Sequence, residues 1–142
     1  MKSLKQLLSA KGSDVFSIAP DAKVIEALRM MAHKDVGALI VMEQGRIVGI
    51  LSERDYARKV ILQGKSSEDV PVREIMTAEV VKVDPGTSVE ACMALVTQRR
   101  IRHLPVCEGE QLIGVVSIGD LVKEVIADQE QTIRQLESYI HT

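Results

Sequence analysis

Tryptophan is absent, Phe16 is the only phenylalanine, and Tyr56 and Tyr139 are the only tyrosines. A chain so poor in aromatics has no stacking platform for single-stranded nucleic acid. An excess of positive charge is missing too: 18 Lys and Arg stand against 20 Asp and Glu, a formal net charge of −2. With a pI near 5.9, a general nucleic-acid partner is not expected. The two cysteines, Cys92 and Cys107, lie in apolar periodic segments with no histidine or second cysteine at ligand spacing. Neither a disulfide framework nor a metal centre follows. Buried thiols in a reducing, cytoplasmic compartment do. No apolar run approaches the ~18 residues of a membrane helix, so no membrane partner is expected. The opening "MKSLKQLLSAKG" lacks the long apolar stretch of a signal peptide, and its periodic leucines predict a short amphipathic helix. Catalytic signatures are missing as well. There is no G-x-S-x-G, H-E-x-x-H or GxGxxG. Gly64-Lys65-Ser66 is no P-loop, because Lys59 stands where the earlier glycine belongs. The chain is not expected to be an enzyme.

What the chain does have is itself, twice. It has 142 residues, 46% of them hydrophobic, enough to bury a core without staples. Shifted by 65 residues, Val15–Tyr56 aligns with Val80–Leu121 without a gap. Pro20 meets Pro85, Leu39 meets Leu104, Gly49 meets Gly114, Ser52 meets Ser117 and Asp55 meets Asp120. The preludes match too: "LLSA" at Leu7–Ala10 resembles "IMTA" at Ile75–Ala78.

Both copies predict the same element order. A short alternating strand, Val15–Ile18 or Val80–Val83, leads into a helix. Val24, Ala27, Leu28 and Met31 form its apolar stripe, echoed by Val89, Cys92, Met93 and Val96. In the second copy Thr87 and Glu90 have the spacing of a capping box. Two apolar strands follow, Val36–Met42 with Ile47–Leu51, then Ile101–Cys107 with Leu112–Val116, joined by the Gly-containing turns "EQGR" and "EGEQ". A second helix starts at Ser52 and at Ser117. The fold class is therefore α/β (α+β), two β-α-β-β-α units. A unit of this size leaves an apolar face uncovered, so the two are expected to pack with pseudo-twofold symmetry as one module. The repeats are placed at 5–63 and 70–126, with polar "GKSSED" (Gly64–Asp69) between them and a C-terminal helix over 121–142.

The motif G-h-h-S-x-x-D (h apolar), at Gly49–Asp55 and again at Gly114–Asp120, resembles that of the cystathionine-β-synthase (CBS) domain family. "RHLPV" and "IMT" are similar to the family as well, and "SERDYARK" resembles small stand-alone bacterial CBS-pair proteins. The likeness covers about residues 5 to 123. It implies a regulatory tandem pair that binds adenosine-containing ligands (AMP, ADP, ATP, S-adenosylmethionine or NAD) in clefts between the repeats. It also implies association of two pairs into a homodimer.

Chemically, Ser-x-x-Asp at a strand-to-helix junction is also an ordinary helix cap, and the two roles are compatible. A capped helix start suits an anion. Asp55 and Asp120 would repel a phosphate but can accept hydrogen bonds from a ribose diol, the role that the resemblance implies for them. Ser52 and Ser117 can reach ribose or phosphate. The phosphate needs cations. Copy one has Arg54 inside its motif where copy two has Gly119. Copy two has Arg102 and His103 where copy one has Gly37 and Ala38. The resemblance further places adenine against Val36, Val80 and Ile101, with backbone near Thr77 and Ala78, or near Ser13 and Asp14, reading its edge.

"RRIRHLPV" thus divides. Arg99 and Arg100 close a helix, where cations suit the dipole. Arg102 and His103 begin a strand with opposite side-chain directions. Should His103 titrate near neutrality, phosphate binding would depend on pH. His33 and His141 read as surface residues.

From Leu121 the chain runs on without Gly or Pro. Val122, Ile126, Gln129, Ile133, Leu136 and Ile140 are spaced 4, 3, 4, 3, 4, a short heptad seam with a polar centre. Either the helix packs on its own core or it meets a second subunit. The expected function is an adenine-nucleotide sensor, free of metal, acting through an unidentified regulated protein. The alternative is a ligand-independent dimeric scaffold in which the motifs serve only as caps.

Overall fold

Hydrophobic periodicity and turn chemistry act the same way in both copies of the repeat, and the two depart from each other where single residues differ. A computed structural model describes residues 1–12 and 14–141. It divides into two units, Val15–Val81 and Met1–Asp14 with Lys82–Thr142.

In the unit Val15–Val81, strand β1 (Ser17–Ile18) pairs in parallel with β2 (Ala38–Glu43), which pairs antiparallel with β3 (Arg46–Ser52). Helix α2 (Val24–Lys34) links β1 to β2 and buries Val24, Ala27 and Met31, while Leu28 is half-buried. It ends on Asp35 in the left-handed conformation, whose N–H donates to Met31 O. Gln44 and Gly45 turn the hairpin with φ of 51° and 76°, the pair of positive values of a type I′ turn. Beyond β3 come α3 (Glu53–Tyr56) and a π-turn over Ala57–Ile61. The last piece is α4 (Val72–Ile75), from the prelude of the second copy. Its Val72 and Ile75 join the core of Val24, Leu39, Val41 and Leu51. Thr77 N–H donates to Ile50 O at 2.8 Å and Ile50 N–H to Thr77 O at 3.0 Å, which ties the prelude to β3.

The other unit is assembled in the same way. Helix α1 (Leu4–Lys11), closed by a Ser3–Gln6 capping box, contributes Leu4, Leu7 and Leu8 to its core. With it are α5 (Val89–Arg99), β4 (His103–Glu108), β5 (Gln111–Ser117) and the long α6 (Ile118–Ile140). β4 and β5 pair antiparallel, with a register shift at Val106/Cys107 matching that at Val41/Met42 in β2. Here the hairpin has a positive φ only at its first central residue, Gly109 (63°), the pattern of a type II′ turn. Cys92 and Cys107 are buried free thiols, both held above their ordinary pKa, chiefly by burial.

Three sequence expectations are corrected. The strand expected over Val80–Val83 is reduced to one parallel bridge, Val83 to Val106. In copy one Ile40 donates its N–H to Phe16 O, but the matching residue of copy two is Pro105, which has no N–H to give. Directly after Val83, Asp84 Oδ1 accepts from Gly86 N at 2.7 Å and turns the chain away. The capping box at Thr87 and Glu90 is not formed. Ser88 caps α5, accepting from Ala91 N, and the Thr87 hydroxyl accepts from Asp84 N instead. The strand expected from Ile101 starts at His103, because Arg100 takes the left-handed conformation (φ 53°) and Ile101 N–H still closes onto Val96 O. Arg99 and Arg100 are therefore a helix terminus.

Past the buried Leu121, the seam of α6 is exposed: Ile126 at 49%, Ile133 at 53%, Leu136 at 58% and Ile140 at 76%. Within this chain the helix does not pack that stripe on its own core. The N-terminus clamps its first half, with the Met1 ammonium 3.0 Å from Asp128 and Lys2 N–H donating to Glu124. Among the described residues no helix is long and apolar enough to cross a membrane.

Candidate functional site

Each unit carries one Ser-x-x-Asp junction, and in each the aspartate closes the capping box. Asp55 N–H donates to Ser52 Oγ at 3.2 Å, while the Ser52 N–H and hydroxyl donate to Asp55 Oδ2 at 2.9 and 3.0 Å. The other oxygen, Oδ1, accepts from the Thr77 hydroxyl at 3.3 Å and lies 3.2 Å from the Lys59 ammonium. Lys59 also donates to Ile75 O at 2.9 Å. Glu53 N–H donates to Gly37 O, which brings the start of β2 against the start of α3. Val36, Gly37, Ala38 and Arg54 are half-buried in this unit, Val80 likewise, and Ala78 is exposed.

The second junction repeats this frame with different chemistry around it. Asp120 N–H donates to Ser117 Oγ at 3.1 Å and Ser117 N–H to Asp120 Oδ2 at 2.8 Å. Ile118 N–H donates to Arg102 O, as Glu53 does to Gly37. His103 faces Ser117 across the β4–β5 ladder. The cation on the carboxylate comes from far away in sequence. Lys11, at the end of α1, donates to Asp120 Oδ2 and to Val115 O, the latter at 2.8 Å. Burial opposes ionisation of Asp120, but the Lys11 hydrogen bond and the Ser117 amide outweigh it and hold the carboxyl below its ordinary 3.8. His103 is pushed below its ordinary 6.5, by burial first, then by the charge of Lys11. Both causes favour the neutral imidazole over the cation. Arg102 is exposed and Ile101 half-buried.

The motif glycines have a reason that is visible only in three dimensions. A Cβ on Gly114 would lie 2.7 Å from Leu8 Cδ2, and one on Gly49 would lie 2.6 Å from Met76 Sδ and 3.0 Å from Thr77 O. Each prelude thus seats a side chain on the glycine of the other copy's motif.

The expected site residues fall into two groups. Val36, Gly37, Ala38, Ser52, Arg54, Asp55, Thr77, Ala78 and Val80 belong to one unit, and Ile101, Arg102, His103, Ser117 and Asp120 to the other. Ser13, expected near an adenine edge, lies outside the described residues. Sequence reasoning missed both lysines. Lys59 was signalled by its i,i+4 spacing from Asp55. Nothing local signals Lys11, which is 109 residues from its partner. Among the described residues no group of three or more His, Cys, Asp or Glu could hold a metal ion.

This architecture can be set beside known proteins. The family described as the CBS domain matches residues 9–61 and 72–127. The chain belongs to the CBS domain family. Its two matches are the tandem repeats, and its mixed helix-and-strand fold is the CBS fold. It is 42% identical over 137 residues to the mitochondrial CBS domain-containing protein CBSX3 of Arabidopsis thaliana, covering 93% of this chain and 66% of that relative's length. A solved protein with CBS domains from Burkholderia ambifaria superposes with a TM-score of 0.86 at 50% identity, covering 90% of this chain and 96% of the other. The CBS domain pair of protein MJ0100, solved with 5′-methylthioadenosine and S-adenosyl-L-methionine, shares the fold at a TM-score of 0.79 and 19% identity, over 90% of this chain and 98% of its own.

Proposed function

We propose that the protein is a regulatory module that binds an adenine nucleotide, AMP, ADP, ATP or NAD, and reports its occupancy to a protein partner. CBS pairs as a class bind adenosine-containing ligands in regulatory roles, and the CBS pair of MJ0100 was solved in complex with two such ligands. The observation that carries the reading is the repeated Ser-x-x-Asp junction. Twice, an aspartate sits at a capped helix start, only partly exposed (13% for Asp55, 21% for Asp120), with a cation beside it. A carboxylate so held can take a ribose diol, and a neighbouring cation can take phosphate. Signalling then needs two states with different affinities, because a ligand shifts an equilibrium only by that difference.

Thermal-shift and calorimetric titration with AMP, ADP, ATP, NAD and S-adenosylmethionine tests the proposal. A ligand at 100 times its Kd stabilises the folded state by about 2.7 kcal/mol. Asp120→Ala weakens adenosine and AMP alike. Arg54→Ala or Arg102→Ala weakens the phosphorylated ligand more. Absence of any shift at millimolar ligand would discard the sensor.

A second reading is the ligand-independent dimeric scaffold, for which the exposed seam of α6 would supply the contact between copies. Isoleucine at Ile126, Ile133 and Ile140 alternates with Gln129 and Leu136. In a parallel two-stranded seam the two copies of Gln129 meet and can bond each other. A homodimer through α6 is compatible with either function.

A further inference from the structure

We propose that Lys11 is a specificity-determining residue of the Asp120 site, making it select adenine ligands that carry a 5′-phosphate over neutral adenosine. The proposal rests on the nucleotide-binding reading above and deepens it. Copy one keeps Arg54 inside its motif as a cation for phosphate, and copy two has Gly119 at that position. The charge is restored through space. Lys11 reaches the junction from α1, whose position is set by the buried Leu4, Leu7 and Leu8, with Leu8 seated on Gly114 of β5. Its ammonium is anchored on Val115 O and on Asp120 Oδ2.

The two junctions differ in what they leave open. Asp55 has partners on both oxygens, Ser52 on Oδ2 and Thr77 with Lys59 on Oδ1. The Asp120 partners, Ser117 and Lys11, are both on Oδ2, so among the described residues Oδ1 accepts no hydrogen bond. A ribose diol can therefore add to Asp120 without dislodging Lys11. The ammonium then lies beside the bound sugar on a flexible four-carbon stem. Gly119, whose Cβ would meet nothing closer than 3.5 Å, leaves the first turn of α6 unobstructed. Arg102, whose carbonyl accepts from Ile118 N–H at the start of α6, adds a second cation beside the junction that Lys11 and Asp120 share. These cations attract a phosphate. Neutral adenosine gains nothing from them.

Calorimetric titration of the full chain with AMP and with adenosine decides the matter, on wild type, Lys11→Gln and Lys11→Arg. In Lys11→Gln, AMP weakens about tenfold, the size of one charge-assisted hydrogen bond, while adenosine changes less than about twofold. Lys11→Arg keeps the preference for AMP. In wild type the AMP-to-adenosine ratio falls as salt is raised, and in Lys11→Gln this salt dependence is reduced. A preference for AMP that is the same in Lys11→Gln as in wild type overturns the role of Lys11 and leaves the sensor standing. A wild type that binds neither ligand removes both.

Discussion

Replacing Gly114 by alanine tests the claim that α1 is seated on the second copy of the motif. The added Cβ would lie 2.7 and 2.9 Å from the two methyl carbons of Leu8 and 3.3 Å from its Cγ. Leu8 is only 5% exposed and is flanked by the buried Leu4 and Leu7, so it has little room to turn. Overpacking of this kind costs about 1–3 kcal/mol. The loss of chain entropy in the unfolded state returns about 0.4–1 kcal/mol. The net expectation is a destabilisation of about 1–2 kcal/mol, or about 2–4 °C in Tm for each kcal/mol. Leu8→Ala alone leaves a void and costs about 2–5 kcal/mol. In the double variant the new methyl occupies part of that void. The two effects should then sum to less than their separate values, by about 0.5–3 kcal/mol, as residues in contact do. Urea denaturation of the four proteins, followed by circular dichroism, completes the cycle. Additivity within about 0.5 kcal/mol would mean that Leu8 and Gly114 do not touch, and the placement of α1 would be wrong.

Two further outcomes follow from the same unit. By NMR, His103 titrates below 6.5, and its midpoint rises in Lys11→Gln, which removes the second-largest cause of its depression; a midpoint that stays put would disconnect the two groups. Because the folded value is the lower one, the stability linked to His103 is present above its ordinary pKa and is lost as pH falls through the folded pKa. The paired substitution Ile133→Glu and Leu136→Glu, on side chains more than half exposed in this chain, lowers the molar mass measured by light scattering at micromolar concentration while leaving the fold intact. An unchanged mass would mean that α6 is not the contact between subunits.

The His103 reading shows how far single positions can be taken from sequence. Its place in the strand that follows α5 was legible from the repeat, but the sequence put the start of that strand two residues early, at Ile101. That the His103 pKa is held down was not legible, since the depression comes from burial and from a lysine in another part of the chain. The same division holds for the second copy's first strand. Its alternating pattern is as good as that of Val15–Ile18, but the absence of an N–H on Pro105 decides that only Val83 pairs.

By itself the sequence determined whatever depends on neighbours along the chain. Ser52 and Ser117 cap helices because a hydroxyl and a carboxylate three residues apart satisfy the first free amides. The hairpins turn at Gly45 and Gly109, α2 and α5 bury all of the stripes their periodicity drew except the half-buried Leu28 and Met93, and α6 carries its heptads. The repeat made both copies legible at once. Tertiary structure alone decided which prelude lies on which motif, which side chains a Cβ at Gly49 or Gly114 would crowd, and that Lys11 completes the Asp120 junction. Those are contacts between segments far apart in sequence, where burial and packing choose the partner and no local spacing records the choice.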